Sequence, residues 1–239
     1  MRQILVKKNL QELSEAAAEH FVEVANRSIT ESGSFSVALS GGSTPRAFYS
    51  LLGTERYLTE VDWTRVRFLF SDERNVLPDA QESNFRMAND TLLRPLNIDE
   101  ASVFRWRTEL DDEELISSDY QIVLEQFTPV DLVLLGLGAD THTASLFPKT
   151  DALHETERLA VANTVPQLNE LRFTMTFPAI NAARSVMMVT AGEEKAEAVK
   201  NVLEREFRPD EFPAQLVNPV SGDLLWLLDR AAAALLDNS

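Results

Sequence analysis

Leu132-Val133-Leu134-Leu135-Gly136-Leu137-Gly138-Ala139-Asp140-Thr141-His142-Thr143-Ala144-Ser145-Leu146-Phe147-Pro148 is an apolar run that halts at glycines and delivers an Asp and a His two residues apart. Aliphatic residues without polar alternation, from Val133 to Leu135, read as a strand buried on both faces, the kind found in parallel sheets. The glycines end it in a loop, and in open α/β sheets ligands gather at the carboxyl edge of the strands. Of the three histidines, His142 alone follows a buried strand and has a carboxylate beside it.

Working outward, the same pattern recurs. Asn9 to about Thr30 reads as a helix, with Leu10, Leu13, Ala17, Phe21 and Val24 at helical spacing and Gly33 beyond its end; His20 sits beside that stripe as a surface or packing residue. Strands are expected at 34–39, 66–70, 103–106, 131–135, 159–162, 172–176, 186–190 and 224–228. Helices are expected at 45–52, 83–93, 111–127, 178–183, from Gly192 to about Glu206, and at 230–236. Repeated strand-then-helix units predict an α/β fold: one domain over 1–239, Rossmann-like and doubly wound, with a mostly parallel twisted sheet and helices on both faces. No linker, low-complexity tract or internal repeat divides the chain.

Composition narrows the function classes. Lys plus Arg number 22 against 38 Asp plus Glu, a net charge of −16, so the long-range field repels nucleic acid and anionic membranes. The same field repels a small phosphorylated substrate, so a site for one must concentrate its cations and backbone N–H donors locally. Without cysteine there is no disulfide, thiolate metal site or cysteine nucleophile. No stretch is long and apolar enough to span a bilayer, and Met1-Arg2-Gln3 leads into no signal-peptide core; a soluble, cytoplasmic protein is expected.

Ser40-Gly41-Gly42-Ser43-Thr44-Pro45 joins a strand to a helix. Gly41 and Gly42 allow close approach of the backbone, and Ser43 and Thr44 sit where the helix dipole favours an anion. The plain alternative is a tight turn in which Ser43 or Thr44 caps the helix. Lys195, in the first turn of its helix, is a cation against the dipole; a bound phosphate would compensate it, and so would Glu193 or Glu194. Arg74 follows a buried strand in Ser71-Asp72-Glu73-Arg74, on the sheet edge expected for His142, with an ion pair to Asp72 or Glu73 as its alternative. Arg172 begins a strand and otherwise reads as a rim residue. Asp140 and His142 suit general-base work: the carboxylate fixes the tautomer and stabilises the imidazolium. A metal is not expected there, since two residues are too few ligands. His154 reads as a surface residue.

In this order these motifs, with Arg172-Phe173-Thr174-Met175-Thr176 and Gly192-Glu193-Glu194-Lys195-Ala196, make the chain resemble the family of 6-phosphogluconolactonases and glucosamine-6-phosphate deaminases over nearly its whole length. The deaminase branch typically carries Met-Asp-Glu-Tyr where this chain has Ser71-Asp72-Glu73-Arg74, and a glutamate shortly after the His where this chain has Ser145-Leu146-Phe147-Pro148. The resemblance therefore implies a cofactor-free carboxylic ester hydrolase opening 6-phospho-D-glucono-1,5-lactone, a step of the pentose phosphate pathway. It implies His142 as base, Asp140 as its orienter and Arg74 on sugar hydroxyls or the oxyanion. Gly41, Gly42, Ser43, Thr44, Asp72, Arg172 and Lys195 would hold the substrate, and a monomer or weak homo-oligomer is expected. The alternatives are an amino-sugar-phosphate deaminase with Asp72 as proton-abstracting base, and a non-catalytic sugar-phosphate sensor. The family usually has Gly between the Asp and the His. A β-branched residue at positive φ costs roughly 1–3 kcal/mol, so Thr141 is expected at negative φ.

Overall fold

The computed structural model describes residues 2–237. Its strands are β1 (Arg2–Lys7), β2 (Phe35–Leu39), β3 (Val66–Phe70), β4 (Asp72–Arg74), β5 (Leu132–Leu135), β6 (Ala160–Val165), β7 (Glu170–Met175), β8 (Ser185–Thr190) and β9 (Asp223–Asp229). Its α-helices are α1 (Leu10–Ser32), α2 (Ser43–Leu52), α3 (Asn84–Ala88), α4 (Glu113–Phe127), α5 (Phe177–Asn181) and α6 (Ala196–Glu204). The main sheet has the order β1-β9-β8-β5-β2-β3, every neighbouring pair parallel. Strands β2, β5 and β8 are buried at every position, as their predominantly apolar sequences require of a sheet covered on both faces.

From β2 the chain moves outward to β3, then returns to place β5 on the opposite side of β2. The order thus reverses between β2 and β5, and a crevice opens beyond their carboxyl ends, where doubly wound sheets hold ligands. The loops after β2, β3, β5 and β8 all leave at that edge.

Several expectations are corrected. Asp72–Arg74, where no strand is expected, pairs antiparallel with β7, which pairs antiparallel with β6, forming a separate three-stranded sheet. The expected strand at 103–106 reduces to a single bridge between Phe68 and Val103. The expected helix at 83–93 is a short α-helix that widens into a π-helical stretch over Asn89–Leu93. Residues 230–235 form turns rather than a helix, and β1, an exposed edge strand, was not expected at all. Helix α1 follows expectation, with Asn9 capping it through the Glu12 N–H and Gly33 closing it at φ 85°.

Candidate active site

Three strand-end loops and strand β4 build one open cleft of roughly 670 Å³, counted out to its mouth. Ser40 through Pro45 form one wall, Gly136 through His142 another; Asp72 and Arg74 come from β4 and Lys195 from the turn after β8.

Helix α2 begins at Ser43, two residues earlier than expected, because Gly42 at φ 106° takes the N-cap position. No side chain caps the helix, so the capping role considered for Ser43 and Thr44 does not hold. The N–H groups of Ser43 and Thr44 belong to the uncapped first turn and line the cleft, and Pro45 has none to offer. The loop is held from behind by Tyr49, whose hydroxyl accepts the Ser40 N–H at 2.9 Å and donates to the Ser40 carbonyl at 3.1 Å. Complete burial pushes its pKa up, so the phenol stays neutral in both bonds.

A second tyrosine does the same for the neighbouring strand. The Tyr120 hydroxyl accepts the Phe70 N–H at 2.7 Å and donates to the Phe70 carbonyl at 2.9 Å, pinning the end of β3 just before Ser71-Asp72-Glu73-Arg74. Trp106 stacks on Tyr120 and donates to the same carbonyl. Beyond it, Glu73 turns away from the cleft and accepts from the N–H groups of Arg74, Asn84 and Phe85 and from the Ser83 hydroxyl, locking the start of α3 onto β4. Burial pushes Glu73 up while those four donors pull it down. Asp72 points the other way and lines the cleft, its carboxylate accepting from Ser145 Oγ at 2.7 Å and Ser71 Oγ at 3.2 Å. Arg74 also lines the cleft. Its guanidinium donates to the Glu82 carbonyl instead of pairing with Asp72 or Glu73.

The loop after β5 is closed on itself: Thr141 N–H donates to Gly138 O at 3.0 Å and Gly138 N–H to His142 O at 2.8 Å. This fold-back brings His142 Nδ1 to 2.5 Å from Asp140 Oδ1, while Phe147 stacks on the ring at 4.0 Å between centroids. Burial pushes the Asp140 carboxyl up, but its hydrogen bonds with His142 and the imidazole charge outweigh that and hold it below the usual range. An ionised Asp140 on Nδ1 places the neutral ring's proton there, leaving Nε2 as the basic nitrogen. Gly138 has to be glycine, because a Cβ there would lie 2.1 Å from His142 Nδ1.

Thr141 corrects the sequence expectation: its φ is +68°. The strain is held by tertiary bonds that no local pattern announces. Thr141 is 2 % exposed, its hydroxyl lies 2.5 Å from Asp140 O and 3.1 Å from Glu211 O, and its carbonyl accepts the Ala214 N–H at 3.2 Å. The loop nevertheless presents His142 to the Ser43 and Arg74 walls.

The cleft thus gathers His142, Arg74, Gly41, Gly42, Ser43, Thr44, Asp72 and Lys195, with Asp140 directly behind His142. Arg172 does not line it; its guanidinium is ion-paired with Glu170 in an adjoining hollow that Arg74 also borders. His154 is a surface residue near Asp210, and His20 is half-buried on α1. Asn84, which lines the cleft and donates to Asp72 O at 3.0 Å, was not anticipated, nor were Tyr49, Tyr120 and Ser145. Among the described residues no group of three or more His, Cys, Asp or Glu stands close enough to hold a metal, and no helix is long and apolar enough to cross a membrane.

A family model described as glucosamine-6-phosphate isomerases/6-phosphogluconolactonase matches residues 8–226. The chain is 37 % identical to the 6-phosphogluconolactonase of Synechocystis over 96 % of each chain. It is 32 % identical to probable 6-phosphogluconolactonase 1 of Arabidopsis thaliana, over 98 % of this chain and 94 % of the other. The solved structure of the Trypanosoma brucei 6-phosphogluconolactonase superposes with a TM-score of 0.89 at 29 % identity, covering 99 % of both chains.

Proposed function

The chain belongs to the glucosamine-6-phosphate isomerase/6-phosphogluconolactonase family, and we propose that its cleft hydrolyses 6-phospho-D-glucono-1,5-lactone to 6-phosphogluconate by general-base activation of water, with 1–239 working as one cytoplasmic unit. The observation that carries the proposal is the convergence of two kinds of group on one cleft. The uncapped start of α2 and Lys195, suited to a phosphate, line it together with His142, whose Nδ1 is occupied by Asp140.

The roles follow from where the groups stand. The N–H groups and hydroxyls of Ser43 and Thr44, the open backbone at Gly41 and Gly42, and the Lys195 ammonium hold the phosphate and fix the lactone ring along the cleft. Arg172, paired with Arg74 across β4 and β7, is assigned to the same phosphate as a further cation. His142 Nε2 removes a proton from a water as its oxygen bonds to C1, and the lactone carbonyl becomes an oxyanion. Arg74 stabilises that oxyanion or neighbouring hydroxyls, and the Asp72 carboxylate accepts hydroxyl hydrogen bonds. Collapse of the intermediate breaks the bond from C1 to the ring oxygen, which takes the proton from the His142 imidazolium. The new carboxylic acid then ionises and releases one proton to solvent. Asp140 holds the ring and stabilises the imidazolium between those steps. A lactone is an activated ester, so a positioned base and water account for the reaction without a covalent intermediate.

The test is pH-stat acid release from freshly prepared 6-phosphogluconolactone, corrected for spontaneous hydrolysis. The His142→Ala variant is expected to lose about 10²–10⁴ in turnover with its circular dichroism and urea midpoint retained. Near-normal turnover in that variant would remove His142 from the chemistry.

A further inference from the structure

Strand periodicity decides which residues of the small sheet look into the cleft. β4 and β7 pair with Asp72 opposite Thr174, Glu73 opposite Phe173 and Arg74 opposite Arg172. Successive side chains alternate between faces, so Asp72, Arg74, Arg172, Thr174 and Glu170 share one face, while Glu73, Leu171 and Phe173 share the other. Asp72 and Arg74 line the cleft, and Thr174 Oγ1 accepts the Ser145 N–H from the loop after β5. Arg172 therefore stands on the face that looks to the site, its backbone about 5 Å from that of Arg74.

Its guanidinium nevertheless does not line the cleft. Glu170, two residues back on the same strand and face, takes the terminal nitrogen Nη2, and the Nε–H is buried without an acceptor. The arginine side chain is 13 % exposed, whereas Glu170 is 51 % exposed. A screened, half-exposed carboxylate is a weak competitor for an arginine, and a phosphate dianion offers a fork of oxygens that would also satisfy Nε.

We propose that Glu170 is a positioning residue for Arg172: it parks the guanidinium beside the cleft and yields it to the phosphate of an incoming substrate, so that the strength of the Glu170–Arg172 pair sets the affinity for phosphorylated over unphosphorylated lactone. The proposal rests on the reading of the cleft as a phosphorylated-lactone site. Binding exchanges one ion pair for another, and the loss of the first is subtracted from the gain of the second.

The experiment measures kcat and KM for 6-phosphogluconolactone and for glucono-1,5-lactone in the wild type, Glu170→Gln, Arg172→Ala and the double variant. A surface pair contributes little, so Glu170→Gln is expected to lower KM for the phosphorylated lactone by about two- to five-fold. That change should appear in KM and not in kcat, and should be absent with glucono-1,5-lactone. Arg172→Ala should raise KM for the phosphorylated lactone about tenfold or more, and the double variant should match Arg172→Ala alone. Glu170→Asp, which keeps the charge, should restore most of the wild-type value. An unchanged or raised KM in a Glu170→Gln protein with a wild-type urea midpoint overturns the proposal. So does a lowered KM that persists in the double variant, because Glu170 would then act on the phosphate directly. Those failures leave the lactonase reading standing so long as His142→Ala remains inactive; an active His142→Ala would defeat that reading instead.

Discussion

Thr141 is the residue at which local preference and tertiary structure disagree most, and its substitution separates the two. At φ +68° a residue with a Cβ carries about 1–2 kcal/mol of steric strain, and β-branching adds to it. Thr141→Ala keeps the Cβ and most of that strain. It loses the hydroxyl bond to Glu211 O, about 0.5–1.5 kcal/mol, and a buried methyl, about 0.8 kcal/mol. The expected cost is about 1–2 kcal/mol. Thr141→Gly loses the same contacts and about 0.5–1 kcal/mol more in backbone entropy, but releases the strain entirely, leaving it between level with and about 1.5 kcal/mol above the alanine variant. At an ordinary position the order is the reverse, with alanine better by about 0.5–1 kcal/mol. Urea denaturation with equal m-values across the three proteins reads the order directly. The glycine variant should keep turnover within a few-fold, because the Asp140–His142 bond belongs to the flanking residues. An alanine variant more stable than the glycine variant would show that the backbone at 141 is not left-handed and would refute the account of this loop.

Two neighbouring positions give sharper functional outcomes. Gly138→Ala would put a Cβ 2.1 Å from His142 Nδ1 and 2.5 Å from Asp140 Oδ1. The pair must move, so kcat in the lactonase assay should fall about 10²-fold with KM largely kept; full activity would mean the ring is not seated as described. For Asp140, the folded pKa lies below the unfolded value, so its stabilisation is complete above the unfolded pKa of about 4 and fades as pH falls through the folded value. The carboxyl is 47 % exposed, which limits the effect to less than about 1 kcal/mol. The gap in melting temperature between wild type and Asp140→Asn should therefore close as the pH falls from 5 to below about 4; a gap that widens over that interval would reverse the assigned sign.

What was legible in the chain follows from what each element buries. Strands covered on both faces read as apolar runs, so β3 was placed without error and β2, β5, β8 and β9 to within one residue at either end. Their carboxyl-end loops, and hence most of the site, came with them. β1 was illegible because five of its six residues are exposed and only Lys7 is partly buried, so Ile4, Leu5 and Val6 carry no alternation of burial. The turns after β9 read as a helix from their alanines and leucines. A stretch that short nucleates poorly in isolation, and here the Asp229 carboxylate is shared between the Ala232 N–H and the Gly192 N–H of the Lys195 loop.

The small sheet was the hardest element to read, for a reason that bears on how the site works. Asp72-Glu73-Arg74 has the composition of a solvated loop, and only pairing with residues about a hundred positions away makes it a strand. Once paired, the alternation of its faces assigns opposite fates to adjacent acids. Asp72 is turned to the cleft and Glu73 to the start of α3, where its hydrogen bonds hold Asn84 against the Asp72 backbone. The register that brings Arg74 beside Arg172 is therefore fixed from both sides, by Glu73 behind β4 and by Ser145 and Thr174 in front of it. A sheet so anchored cannot slip by one residue without burying Arg74 and exposing Glu73. That is why a sequence so charged can still hold two arginines at a defined spacing on the face of the cleft.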